Sequence, residues 1–186
     1  MRRLAAHLGV SPSTIYWWVE GRDHLLALVV DAVHGTVTTP TSAPGDTWAD
    51  QLTAMAVSLY NAYSANPAVL RILAAGVLAG PNTIALLERF LAVLVGGAGL
   101  SGREAASAAF AILALVRGFI PQPSGVPGSP EAKVWTGGAG LGMLPARQFP
   151  LLAGLAAELE SVDPGDQFRW ALTTFVSSLS PEEPRR

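Results

Sequence analysis

The sequence predicts an all-α protein, and three observations carry that prediction. Apolar residues recur at spacings of three and four along most of the 186 residues, and no convincing run alternates with period two. Ser11-Pro12 and Asp163-Pro164 each place an N-cap residue before a proline at the first helical position, where its missing N–H costs nothing. Glycine and proline gather between the periodic stretches, where they act as punctuation.

The elements follow in order. Leu4 and Leu8 sit one turn apart in a first short helix that stops near Gly9. Ser11 opens a second, with Ile15 and Val19 as its inward stripe. Leu4, Leu8, Val10, Ile15 and Val19 form the expected buried set of this pair. Asp23 reads as the next N-cap, followed by Leu25, Leu26, Val29, Val30 and Val33, with Gly35 placed to end the helix. "TTPTSAPGD", Thr38 to Asp46, reads as a loop whose last residue caps a long helix with the apolar face Leu52, Met55, Leu59 and Tyr63.

Asn66-Pro67 breaks that helix, and a short one runs from Pro67 to Ala75 before Gly76. Pro81 starts another, carrying Ile84, Leu87, Leu91 and Leu94. Ser101 and Glu104 fit a capping box at the head of a helix rich in small residues, which ends at Ile120-Pro121. Pro121 to Pro145 holds "PQPSGVPGSPE" and "TGGAGLGMLP" and reads as a mobile loop. Pro150 to Glu160 is helical again. The last helix, capped by Asp163, carries Phe168, Leu172, Phe175 and Leu179, and "SPEEPRR" is a frayed tail.

Composition narrows the function. Half the residues are hydrophobic and 14% are charged, with a mean hydropathy of +0.37. A subunit interface or an apolar cavity would use that excess. Cysteine is absent, which removes disulfides and thiolate chemistry. A formal charge of −2 argues against a general polyanion binder, so any nucleic-acid contact is local. The most apolar stretches do not suit a membrane: Pro81 to Leu100 carries Glu88 and Arg89 at its middle, and Ala105 to Val116 falls short of the ~20 residues a span needs. No signal peptide opens the chain, so a cytoplasmic protein is expected.

Enzyme chemistry is not expected. No Ser/His/Asp or Cys/His set and no metal-ligand spacing is visible, and the glycine-rich stretches Val95 to Gly102 and Thr136 to Gly142 follow no strand. Helix, glycine-containing turn, helix is instead the layout of a helix-turn-helix. Its second helix turns Ser13, Thr14, Trp17 and Trp18 outward, and Arg2, Arg3 and Arg22 bracket it with positive charge. Hydroxyls and aromatic rings on such a helix can meet phosphates, base edges and thymine methyls. Packing of Tyr16 and Trp17 on the next helix is the competing explanation.

"RRLAAHLGVSPSTIYWWVEGRDHLL" resembles the DNA-binding segment of the tetracycline-repressor (TetR) family. The match is specific over Arg2 to Leu26, with an "LA-x-x-LGV" helix, a turn and a "T-[LI]-Y" recognition helix. The stretch from Pro150 to Leu179 resembles the last two helices of the tetracycline-repressor subgroup, and Trp48 in "DTWADQL" extends the similarity. The resemblance implies a ligand-responsive regulator, a repressor by preference, that binds a palindromic double-stranded DNA operator as a homodimer. It implies three segments: 1–36 as helix-turn-helix and linker helix, 46–180 as effector-binding and dimerisation domain, and 181–186 as tail.

The same resemblance assigns residues. Arg2 contacts phosphate; Pro12, Ser13, Thr14, Trp17 and Trp18 face the major groove; Tyr16 and Arg22 clamp the backbone. Glu20 is an unhelpful charge beside a phosphate. The effector pocket lies among the helices at 46–65, 67–75, 81–95 and 102–120, with Met55, Leu59, Tyr63, Leu73, Leu87, Leu91, Phe110, Leu113 and Arg117 as candidates. Most of these side chains suit a plain core equally well. Arg117 interrupts an apolar helix and needs a partner: Glu88, an acidic ligand or solvent.

Family members that bind a magnesium–tetracycline chelate use histidines that "TVTTP" and "VLRILAAG" lack, and His34 has no second ligand nearby. The expectation is a small, largely apolar effector with no metal and no cofactor. The final stripe from Phe168 to Leu179 and the small-residue helix Ala105 to Ala114 suit a four-helix dimer interface or packing within one subunit. The family also places a further helix ahead of the helix-turn-helix. Met1 is therefore expected to be internal to a longer product, with roughly 20–40 more residues encoded upstream, and with Leu4, Leu8 and Tyr16 exposed as the chain stands. A ligand-binding dimer without competent DNA binding is the alternative.

Overall fold

A computed structural model describes residues 1–38, 45–76, 80–120 and 144–179, and every regular element among them is a helix. The first three are α1 (Arg2–Leu8), α2 (Pro12–Trp18) and α3 (Arg22–Gly35). α1 stops because Gly9 turns left-handed, at φ 67°, a conformation that costs glycine little. α2 starts because the Ser11 hydroxyl accepts from the Thr14 N–H at 3.2 Å and Pro12 needs no acceptor.

α3 begins at Arg22, one residue before the Asp23 read as its cap. Gly21 holds the cap position, and the Glu20 N–H finds its acceptor in His24 Nδ1 at 3.1 Å, which closes the turn early. Between α1 and α2 the buried cluster is Ala5, Ile15 and Val19, edged by Met1, Leu4 and Leu25. Val10, expected inside, is 40% exposed, and Leu8, placed inside by its spacing but outside by the family resemblance, is 58% exposed. Two helices of seven residues meet in a single layer of side chains, and the small Ala5 occupies the crossing. Leu4, placed inside by its spacing but outside by the family resemblance, is half-buried in that cluster.

The body is built around α4 (Trp48–Ala65). Its cap is Thr47 and not Asp46: Asp50 accepts from the Thr47 N–H at 2.9 Å while the Asp50 N–H donates back to the Thr47 hydroxyl at 3.2 Å. The reciprocal box satisfies two donors where Asp46 alone would satisfy one. α5 (Ala68–Ala74) and α6 (Pro81–Ala92) follow, and α6 runs into a π-helical turn over Val93–Gly97. α7 (Gly102–Gly118) opens with the Ser101–Glu104 box. The helix expected from Pro150 to Glu160 is two short ones, α8 (Pro150–Gly154) and α9 (Ala156–Ser161), divided where Leu155 leaves helical geometry. α10 (Pro164–Ser178) is capped by Asp163, which accepts from the Gly165 and Asp166 N–H groups at 2.8 and 3.1 Å.

The core lies where α4 meets α6, α7 and α10. Leu52, Met55, Leu59, Tyr63, Phe90, Leu94, Ile112, Phe168 and Leu172 are essentially without solvent contact. Tyr60 stacks on Phe168 with ring centroids 4.4 Å apart. The small Ala105, Ala108 and Ala109 let α7 approach closely. Each large side chain so buried stabilises by roughly 1.5–3 kcal/mol, which is what makes this body a folding unit. No helix among the described residues is long and apolar enough to cross a membrane. The segment expected as a mobile loop, with Thr136 to Gly142, lies almost wholly outside the described residues, as does the 181–186 tail.

Candidate functional site

Two candidate surfaces are separated by the length of α3. The first is the outer face of α2. Burying Ile15 and Val19 turns Ser13, Thr14, Trp17 and Trp18 outward, where they line a shallow groove. Trp17 is 89% and Trp18 80% exposed, so neither ring packs on the next helix. Tyr16 is more than half exposed. The hydroxyls of Ser13 and Thr14 lie 2.7 and 2.8 Å from the Ser11 hydroxyl, a polar cluster over the start of α2. Pro12, Arg2 and Arg22 are exposed too. Arg22 is loosely paired with Asp23, 3.9 Å away in open solvent, a contact worth little.

The second is a small, partly open cavity of about 100 Å³ between α3, α4, α6 and α7, with Leu73 of α5 at its edge. Six of the sequence-derived candidates reach it: Tyr63, Leu73, Leu87, Phe110, Leu113 and Arg117. Three do not. Met55 and Leu59 point from α4 into the solid core, both at 0% exposure, and Leu91 is half-buried one turn beyond the cavity wall. Leu86, Phe90 and Ala109 line it instead. A side chain's helical face decides this, and the apolar stripe of α6 is wide enough to hold both sets.

The cavity also contains two polar side chains that the sequence reading did not assign, His34 and Thr83. His34 Nε2 lies 2.7 Å from the Tyr63 hydroxyl, and Nδ1 lies 2.7 Å from the Thr83 hydroxyl. Thr83 donates both its N–H and its hydroxyl to Asp31 Oδ1, at 3.0 and 3.2 Å, and Asn82 donates to Asp31 Oδ2 at 2.8 Å. Asp31 thus caps the N-terminus of α6 from the neighbouring α3, where free N–H groups favour a negative charge. Gly80 has to be glycine for this docking, because a Cβ there would overlap the Asp31 carboxylate. Asp31 and His34 are both buried. Their signal in the sequence is position: they sit on the apolar face that also buries Val30 and Val33.

Burial lowers the pKa of His34, partly offset by Asp31, with Arg117 lowering it further. Burial raises that of Tyr63, opposed by the Arg117 guanidinium beside its hydroxyl. No carboxylate pairs with Arg117 among the described residues: Glu88, one of its three expected partners, is exposed elsewhere on α6, and Arg117 is itself exposed, in line with the solvent alternative. Among the described residues no group of three histidine, aspartate or glutamate side chains could hold a metal ion.

The comparisons with known proteins agree with this geometry. Residues 39–180 match the family model described as the tetracyclin repressor-like C-terminal domain. A helix-turn-helix-type transcriptional regulator of Saccharopolyspora erythraea is 31% identical over 124 residues, 67% of this chain but 52% of its own, so the match spans about half that relative's length. The helix-turn-helix-type transcriptional repressor DrrR1 of Streptomyces coeruleorubidus is 26% identical over 96% of this chain and 68% of its own. The TetR family protein ActR of Streptomyces coelicolor, solved in complex with actinorhodin, superposes with a TM-score of 0.77 at 33% identity, over 96% of this chain and 85% of that one. The same protein without ligand gives 0.74 at 31% identity. These relatives are regulators, not enzymes. The chain belongs to the tetracycline-repressor family.

Proposed function

We infer that this chain is a ligand-responsive transcriptional repressor. It binds a palindromic operator as a homodimer through α2 and is released when a small, largely apolar effector enters the cavity. One observation supports the reading: α3 bears the α2 head at one end and, at the other, His34 in the wall of the cavity and Asp31 bonded to the start of α6. In this reading Ser13, Thr14, Trp17 and Trp18 read the major groove, and Arg2, Tyr16 and Arg22 hold the backbone. A repressor among the relatives and a ligand-bound neighbour support it. Such a protein acts on DNA in the cytoplasm.

The dimer surface in this proposal is the outer face of α7 and α10. Trp170 is 73% exposed there, beside Ala111, Ala114, Gly118, Ala171 and Phe175. The expected stripe is divided: Phe168 and Leu172 are in the subunit's own core, while Phe175 and Leu179 reach this face. A partner's matching pair of helices would bury Trp170, and small residues would let the helices close. The effector acts by differential affinity: it stabilises one setting of α3 against α4 and α6, and two heads spaced for successive major grooves lose register.

The test begins with operator selection from a random duplex pool. The expected product is a palindrome with half-sites centred about 34–36 Å apart. Trp17→Ala should then weaken binding to that site by tenfold or more, the worth of about one base contact at 1–3 kcal/mol, and leave binding to unrelated DNA unchanged. Equal loss on both DNAs would take Trp17 off the reading face. Failure to enrich any palindrome would favour a ligand-binding dimer that does not use DNA.

A further inference from the structure

Three helices of this chain are closed at their starts by the side chain of their third residue, and one of the three uses a different titratable group. In α4 and α7 that residue is Asp50 or Glu104, whose carboxylate reaches back and accepts the N–H of the cap residue, each at 2.9 Å. Hydrogen bonds from the Thr47 and Ser101 side chains, and then from their N–H groups, hold the two carboxyls below their usual range, so both stay charged at neutral pH. α3 has Gly21 as its cap, with no side chain to contribute. Its third residue is His24, which reaches one residue further back, and Nδ1 accepts the Glu20 N–H at 3.1 Å. α3 therefore closes with an imidazole where α4 and α7 close with a carboxylate.

The donor fixes the state of the ring. A backbone N–H can only give its proton, so Nδ1 is unprotonated and the neutral ring carries its proton on Nε2. His34 differs, because its two hydroxyl neighbours can each give or accept. A second proton on His24 would go to Nδ1 and end the bond. Histidine is the side chain that ordinarily changes charge between about pH 5 and 8, and His24 is exposed, so solvent delivers the proton directly. The charged or titratable side chains around it are Glu20, Arg22 and Asp23 in the same turn, Arg2, Arg3 and His7 on α1, and Tyr16 on α2. None of them forms an ion pair with His24 among the described residues. The added charge would also meet the positive end of α3.

We propose that the turn between α2 and α3 is a pH-sensitive latch, closed by neutral His24 and opened when the ring takes a second proton. Val19 stays buried in the cluster against which Leu25 packs, so opening loosens the turn without separating the helices. Glu20 follows the end of α2 by two residues, so the latch bears on the helix that displays Trp17 and Trp18. Closed, it holds that face in one setting against α3. Open, the face has more settings to sample. The latch works in this way whether or not α2 meets DNA.

The test is a proton–nitrogen NMR titration of the whole chain from about pH 8 to 5.5, the window in which a histidine ordinarily takes up its proton. The Glu20 amide proton resonance should move upfield as the pH falls, with the same midpoint as the His24 ring, because the amide loses its acceptor. His24→Gln, whose side-chain oxygen can accept but cannot titrate, should hold that resonance still. His24→Ala should leave it at its low-pH position throughout. Glu20→Gln should keep the movement, which removes the residue's own carboxyl as its source, and His7→Gln should keep it too, which removes the other histidine of the head. An amide at position 20 that stays still, or moves downfield, while the His24 ring titrates in the unaltered chain would overturn the proposal, and that reading requires no variant to fold. Persistence of the movement in His24→Gln would overturn it as well.

Discussion

The head and the body of this protein use their large side chains in opposite ways. Between α1 and α2 the buried cluster is Ala5, Ile15 and Val19, while Tyr16, Trp17 and Trp18 stay in solvent. α4 alone buries Leu52, Met55, Ala56, Leu59 and Tyr63, and Phe90 and Phe168 join the same core. The body buries Tyr63, Phe90 and Phe168 for cohesion, with Phe110 and Trp170 left on its surface, while the head displays all three of its rings. A surface that keeps its rings free for a partner forgoes the burial that would hold it together, so the head leans on α3. α3 is in turn fixed to the body by polar contacts, Asp31 to α6 and His34 to α4 and α6, set among apolar neighbours. Such contacts are directional, so they define one setting of the head more sharply than apolar packing does.

The largest expected effect breaks the body. Phe168→Ala removes a ring that is 1% exposed and stacked on Tyr60. It should cost about 3–5 kcal/mol in urea unfolding, the usual range for a fully buried phenylalanine. Ile15→Ala should instead loosen the head: amide exchange in α1 and α2 quickens while the unfolding midpoint of the body barely moves. If Ile15→Ala lowered the global midpoint as far as Phe168→Ala, head and body would be one cooperative unit and the contrast would fail.

The next effect is at the joint. Gly80→Ala sets a methyl group against the Asp31 carboxylate, and the backbone of α6 or α3 has to yield. Overpacking of this kind costs roughly 1–3 kcal/mol. The stability loss should come with altered exchange at Asn82 and Thr83, whose bonds to Asp31 would lengthen. An unchanged melt with unchanged exchange would mean the two helices have slack at this point, and Asp31 would not be holding the head in one setting.

The outer layout was legible in the sequence because it rests on local chemistry. Gly9, Ser11-Pro12, Pro81, the Ser101–Glu104 box and Asp163-Pro164 each fix a helix end through neighbours within a turn. Where two local devices competed, the reading missed: Asp46 is the more familiar cap, but Thr47 with Asp50 satisfies more groups. The cavity was legible in part. Apolar spacing identifies which helices contribute but does not separate Leu87, on the cavity, from Leu91, beside it. His34 and Thr83 are 49 positions apart and meet only because α3 crosses the start of α6. No sequence pattern within one helix contains that meeting. Asp31 and His34 on a buried stripe were a sign that some such meeting had to occur, because a buried polar group needs a partner.

The smallest effect is a slope in pH, and it tests the joint without disturbing its packing. Burial holds the pKa of His34 below its ordinary 6.5, while in the unfolded chain the ring titrates near that value. Above pH 6.5 the ring is neutral in both states and contributes no pH dependence. As the pH falls through 6.5 the unfolded chain takes up a proton that the native state resists, so stability declines with falling pH. The decline levels off once the native pKa is passed, since both states then carry the proton. In the native protein a second ring proton would require both the Tyr63 and the Thr83 hydroxyls to accept from His34. Urea midpoints between about pH 7.5 and 5 should therefore fall more steeply for the unaltered chain than for His34→Gln, which can keep polar contacts but cannot titrate. His7 and His24 of the head remain in both proteins, so the difference in slope belongs to the joint. Matching slopes would show that the ring accepts its proton in the folded state at no cost, and burial of His34 between Tyr63 and Thr83 would not be resisting the charge.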